Sequence, residues 1–169
     1  MHIVVIAGGY GTRLGDLTEH RPKYLVPVNG HPFADYQIEL LLSQGFTRFT
    51  FALGHMGDQI RAHIDYHWRD LDRTYSDHPP RSVWDAYNRA KVRGRHAVLY
   101  GDSYLALEPG FVKDCWDRPE NVYVRWASED YGIRFLGGRG RLQVEAPMRY
   151  QEVGSREGIT RLEVWLEAQ

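Results

Sequence analysis

An apolar run that breaks into glycines near the start of the chain constrains this sequence more than any other feature. Residues Ile3 to Ala7 (IVVIA) are uniformly apolar, the pattern of a strand buried on both faces of a parallel sheet. The run ends at Gly8-Gly9-Tyr10-Gly11-Thr12-Arg13. Glycine allows a sharp turn there and, having no Cβ, lets a bulky ligand lie against main-chain N–H groups. Successive N–H groups in such a turn form a nest for an anion, most often a phosphate. Arg13 and Lys23 add a forked guanidinium and a point-charge ammonium, the two cations that phosphoryl chemistry draws on. The stretch reads as a polyphosphate-handling loop. It is not the dinucleotide fingerprint, whose last glycine is absent, nor a Walker loop, which needs Gly-Lys-Ser/Thr after four spacer residues.

The rest of the chain reads as an α/β domain. Apolar and polar segments alternate: a helix over 34–44 with Ala34, Ile38, Leu41 and Leu42 inward, a strand at 48–53, a helix over 58–68, and a weaker strand at 71–76. A helix capped by Ser82 follows, with Val83, Ala86, Tyr87 and Ala90 as its apolar stripe, and then a strand at 96–100. Strands alternating with helices predict a mostly parallel sheet covered on both faces, with ligands bound beyond the carboxyl ends of the strands. The glycine loop and Asp102 would then share one edge. The second half is richer in short strands. A helix is expected over 109–116, a strand over 122–126, a hairpin of 132–136 with 141–144 around Gly137 to Gly140, a strand over 148–153, and a last helix capped by Ser155.

At 169 residues the chain is expected to be one domain (1–169), with a first half over 1–105 that carries the glycine loop and Asp102 and a smaller second half over 106–169. A net charge of −1 gives no general reason to bind nucleic acid or an anionic membrane. No apolar run reaches membrane length, and no signal peptide precedes the first strand, so a cytoplasmic protein is expected. The single cysteine, Cys115, suits a reducing compartment and reads as packing beside Trp116. His63 and His67 lie one helical turn apart without an evident third ligand, which favours a partly exposed helix face over a zinc site. The basic run Arg89 to Arg95 reads as a solvated helix end.

The order strand, Gly-Gly-x-Gly-Thr-Arg-Leu, then Pro22-Lys23-x-Leu25-Val26-Pro27-Val28 and Gly30-x-Pro32-Phe33, resembles the signature of the sugar-1-phosphate nucleotidyltransferases. It is most similar to the small bacterial enzymes acting on heptose, mannose or N-acetylmuramate 1-phosphates. The resemblance is strong over 2–60, fair over 95–105 and 148–166, and poor between. It implies a three-layer αβα Rossmann-like fold with a small C-terminal β-rich sugar-binding part. It also implies transfer of a nucleoside monophosphate from an NTP to a sugar 1-phosphate, releasing pyrophosphate, with Mg2+ as cofactor.

By this resemblance Ala7, Gly8, Gly9, Tyr10, Gly11 and Thr12 hold the nucleotide. Arg13 steadies the β- and γ-phosphates, and Lys23 lies against the attacking and α-phosphate oxygens. Asp102, in Gly-Asp-Ser-Tyr-Leu, matches the family's metal aspartate. Glu152, in Glu-Val-Gly-Ser, stands where many relatives carry a second metal aspartate, so a one-carboxylate site is an alternative. Asp130 and Gly132, in Asp-Tyr-Gly-Ile, are assigned to the sugar, with a second-metal role for Asp130 left open. Asp85 is assigned to the base, where it could accept from guanine, although helix capping explains it more cheaply; Ser82 to Ala86 replaces the family's usual Gly-Thr-Ala-Gly-Ala-like turn. The segment between Gly132 and Met148 is short for the family, and a homodimer is one way to complete it. Cytidylyl transfer to a non-sugar phosphate such as phosphocholine, or a non-catalytic nucleotide- or nucleotide-sugar-binding regulatory module, are the competing expectations.

Overall fold

The computed structural model describes residues 1–77, 83–125, 132–145 and 149–168. The chain opens with β1 (His2–Ile6), the glycine loop, and two short 3-10 segments, Thr12–Thr18 and Lys23–Leu25. A two-residue hairpin follows, β2 (Pro27–Val28) with β3 (His31–Pro32), turned by Asn29 and Gly30, both at positive φ. Then come α1 (Phe33–Ser43), β4 (Arg48–Leu53), α2 (Gly57–His67), β5 (Asp72–Asp77), α3 (Val83–Arg89) and β6 (His96–Tyr100). The second half contains β7 (Ser103–Ala106), α4 (Pro109–Asp117), β8 (Asn121–Arg125), β9 (Arg134–Leu136), β10 (Arg141–Glu145), β11 (Arg149–Glu152) and α5 (Arg156–Glu167).

The main sheet has seven strands in the order β10-β8-β9-β6-β1-β4-β5. All its pairings are parallel except those of β9, which runs against both β6 and β8. Side chains of β1 alternate between two cores, as the strand period requires. Ile3 and Val5 join a large core with α1 (Ile38, Leu41) and α2 (Ile60, Ile64). Val4 and Ile6 join a smaller one with Ala86 of α3. Helices therefore cover both faces, the αβα layering expected. A separate two-stranded ribbon pairs β7 with β11, Ser103 opposite Glu152.

The hairpin expected around Gly137 to Gly140 does not form. β9 and β10 lie on opposite sides of β8, and β10 pairs with β8 in parallel. The glycines serve a crossing instead. A Cβ on Gly137 would overlap the Gly94 carbonyl, and one on Gly138 the Pro119 carbonyl. Arg139 N–H donates to Pro119 O (2.9 Å), and the Asn121 side chain bonds both Gly138 N–H and Gly140 O.

Several local expectations also shift. Leu42 is 37% exposed and not on the buried face of α1, whereas Gln37 of the same helix is fully buried. His63 is mostly buried, its Nε2 bonded to Asp35 Oδ1 at 2.8 Å, and Trp68 Nε1 donates to the same oxygen at 2.7 Å; together they tie α2 to α1. Arg95, from the basic run, donates to the carbonyls of Cys115, Trp116 and Glu120, closing the C-terminal end of α4. Cys115 is buried, and burial pushes its thiol up to about 11, which agrees with packing and not nucleophilic chemistry. Among the described residues no helix is long and apolar enough to cross a membrane.

Candidate active site

Four segments converge at the carboxyl edge of the sheet. The first is the glycine loop leaving β1. Ala7 N–H and Gly101 N–H stitch its start to the flanking strands, donating to Ala52 O and Ile6 O at 2.9 Å. Gly8 packs against Gly54, leaving about 3.2 Å for any added Cβ. Beyond it the main chain is open: among the described residues the N–H groups of Gly9, Tyr10 and Gly11 donate to no backbone carbonyl. Gly9 has nothing within 4 Å of its missing Cβ. Tyr10 is 65% exposed and rests on the His55 ring, centroids 4.7 Å apart. Gly11 has φ +70°, and a Cβ there would meet the Lys23 Cβ at 3.0 Å.

The second segment is the 3-10 turn that presents Lys23, the third the turn between β6 and β7 that presents Asp102. Their side chains form an ion pair, Lys23 Nζ to Asp102 Oδ2 at 2.6 Å, both largely shielded. A cleft of about 120 Å3 lies between this pair and the loop, lined by Ala7, Gly9, Gly11, Lys23 and Asp102 among others. The fourth segment is the end of β11. Val153 N–H donates to Asp102 O at 2.8 Å, which sets Glu152 beside the acid. Glu152 Oε1 accepts from Arg13 Nη2 at 2.7 Å, a solvent-accessible pair. Gly154 leaves room for it: a Cβ there would overlap Glu152 Oε1 and stand 2.7 Å from Arg13 Nη2.

Two carboxylates, Asp102 and Glu152, are thus each held by one cation, and Asp102 shares the cleft with Gly9 and Gly11 of the loop. Such hard oxygens suit Mg2+, and Asp102 and Glu152 are the carboxylates that could hold one. Among the described residues no three His, Cys, Asp or Glu side chains group as a metal site, so a bound Mg2+ would draw its other ligands from phosphate oxygens and water.

The other assigned residues have their own surroundings. Asp85 is on α3, its Oδ2 accepting from Arg89 Nε at 2.9 Å. Gly132 is buried, and a Cβ there would overlap the Val124 carbonyl. Asp130 lies outside the described residues. The sequence reading missed Gln37, whose amide reaches the Asp102 turn from α1, donating to Tyr100 O at 3.0 Å and Ser103 O at 2.6 Å. A polar residue within an apolar helical stripe was the only available signal.

Comparison with known proteins finds relatives of this chain. Residues 3–155 match the model of the MobA-like NTP transferase domain. A UTP–glucose-1-phosphate uridylyltransferase of Haloferax volcanii is 36% identical over 105 residues, 62% of this chain and 39% of that protein. A choline-phosphate cytidylyltransferase of Streptococcus pneumoniae is 41% identical over 60 residues, 36% of this chain and 26% of that one. The chain thus spans well under half the length of these relatives. HddC from Yersinia pseudotuberculosis, crystallised with GMP-PN, superposes with a TM-score of 0.80 at 16% identity, covering 98% of this chain and 99% of that one.

Proposed function

Because the chain belongs to the MobA-like NTP transferase family, we propose that it transfers a nucleoside monophosphate from an NTP to a sugar 1-phosphate. The products are pyrophosphate and a nucleotide-diphospho-sugar. One observation carries the reading: the Lys23–Asp102 pair, 2.6 Å apart, stands across a small cleft from the open glycine loop.

An oxygen of the sugar phosphate attacks the α-phosphorus, a new P–O bond forms, and the bond to the β-phosphate oxygen breaks. The attacking oxygen is anionic at neutral pH, so no general base is required. The protein supplies position and positive charge. The free N–H groups of Gly9 to Gly11 cradle the triphosphate. Lys23 neutralises the α-phosphate oxygens as negative charge builds in the transition state. Arg13, turned from Glu152 toward the substrate, holds the departing pyrophosphate. Mg2+, held by Asp102 and Glu152, would supply further neutralisation of the phosphates.

A second reading has its own support. The likeness to a choline-phosphate cytidylyltransferase keeps phosphocholine open as the acceptor. Pyrophosphate release, measured with Mg2+ and every pairing of the four common NTPs with mannose, glucose, heptose, N-acetylglucosamine and N-acetylmuramate 1-phosphates and phosphocholine, tests both. Release that requires one NTP and one sugar phosphate together, and disappears in Asp102→Ala, is the expected outcome. Release with phosphocholine alone selects the second reading. Silence throughout, with an NTP still raising thermal stability, makes the protein a binding module.

A further inference from the structure

We propose that Gln37 is a positioning residue for Asp102, an inference that rests on the proposed transfer reaction. Gln37 lies on α1, outside the cleft, and is fully buried. Its Nε2 donates to Tyr100 O at 3.0 Å and to Ser103 O at 2.6 Å, the carbonyls on either side of Gly101-Asp102. Both amide hydrogens are thus spent closing the turn that aims Asp102 at Lys23. The opposite orientation would face an oxygen against two carbonyl oxygens, so the acceptors themselves fix which way the amide points.

Two observations set this contact apart from ordinary helix packing. The first is its cost: Gln37 Oε1 is buried with no hydrogen-bond partner, a penalty that an apolar residue would not carry. The second is an internal comparison. Gln44, two helical turns on, is equally buried and makes the same kind of bond, Nε2 to Leu105 O at 2.7 Å. That carbonyl lies within β7, beyond the acid. One glutamine brackets Asp102; the other only docks the helix on the strand.

The matched pair provides the test. Gln37→Met and Gln44→Met each remove a buried amide while keeping side-chain length, and comparable losses of Tm are expected. In steady-state kinetics Gln37→Met should lower kcat about tenfold or more while KM for the NTP changes less than about threefold, since Asp102 orients Lys23, which answers the charge that develops on the reacting phosphates. Gln44→Met should keep kcat within about twofold. Should Gln37→Met fail to fold, Gln37→Glu, isosteric but without donor hydrogens when ionised, takes its place with the same expectation. Equal kcat losses at both positions, or no loss at Gln37, would overturn the proposal. A wild-type protein without transferase activity would instead sink the functional reading. Positioning is then read from crystal structures of the two variants. Asp102 should leave hydrogen-bond reach of Lys23 in Gln37→Met and keep it in Gln44→Met; an unmoved Asp102 in Gln37→Met would refute the role.

Discussion

A single methyl group at Gly154 should separate catalysis from stability. Its Cβ would stand 2.7 Å from Arg13 Nη2, where ordinary contact begins near 3.4 Å, so the guanidinium must retreat by about 0.7 Å. Glu152 Oε1, which the methyl would overlap, must move further. Both displaced atoms are the ends of flexible side chains, so the backbone has no reason to shift. The pair they form is exposed, with Arg13 at 66% and Glu152 at 33%, and such pairs contribute about 0–1 kcal/mol. For a domain of this size that is a fall in Tm of less than about 4 °C. Positioning is less forgiving: Arg13 leaves Glu152 to act, but Glu152 is itself the proposed Mg2+ ligand, and a displacement near 1 Å there costs about tenfold to a hundredfold in rate, roughly 1.4–2.7 kcal/mol of transition-state stabilisation. Gly154→Ala should therefore melt almost with the wild type and show kcat/KM for pyrophosphate release reduced by that factor. Unchanged kcat/KM would mean that the Arg13–Glu152 arrangement does not matter to the reaction. A Tm loss beyond about 10 °C would mean that the methyl is resisted by backbone, against the contacts described.

Other perturbations test different parts of the molecule. Lys23→Met should lower kcat about a hundredfold while NTP binding, read by calorimetry, weakens far less, because the charge it answers develops during attack; equal losses in both would place Lys23 in ground-state binding. Gly132→Ala should be a stability variant first: its methyl would overlap the Val124 main chain, and forced overpacking of this kind costs about 1–3 kcal/mol, seen as a lowered Tm. A protein with unaltered Tm and a raised KM for the sugar phosphate would assign Gly132 to recognition. Burial, and then the neighbouring His96, hold the His2 imidazole below its usual value; burial likewise lowers His96, against the bond its Nδ1 donates to Gly94 O and with the help of Arg95. The unfolded chain then binds more protons than the folded one once the pH drops below about 6.5, so their contribution is present above that value and is lost as the pH falls. Tm should decline between about pH 7.5 and 5.5, and less steeply in a His2→Gln/His96→Gln variant; an unchanged slope would place the effect elsewhere.

What could be read from the sequence is what local chemistry decides. The strands at 48–53 and 96–100 are found where the apolar runs put them, and Ser155 Oγ accepts from Gly158 N–H as an N-cap should. The glycine loop and Asp102 do share one edge, because parallel topology delivers the ends of β1 and β6 there, whereas Glu152 comes from the antiparallel ribbon. What escaped was set by distant parts of the chain. Gly137 and Gly138 look like a turn, yet their lack of side chains serves an approach to Gly94 and Pro119, contacts that no local window contains. Gln37 breaks the apolar stripe of α1 because two carbonyls of another element require its hydrogens. His63, on a helix face that reads as partly exposed, answers a carboxylate on α1. In each case a long-range polar or steric demand overrode the local pattern.

Following a radiolabel from the α-phosphate of the NTP tests the central claim most directly. With Mg2+ and the sugar phosphate selected by the panel, transfer chemistry predicts that the label enters a product containing the sugar, mole for mole with pyrophosphate, and that Lys23→Met slows this about a hundredfold. Label that stays in the NTP, or appears as free nucleoside monophosphate while the sugar phosphate is not consumed, would contradict it.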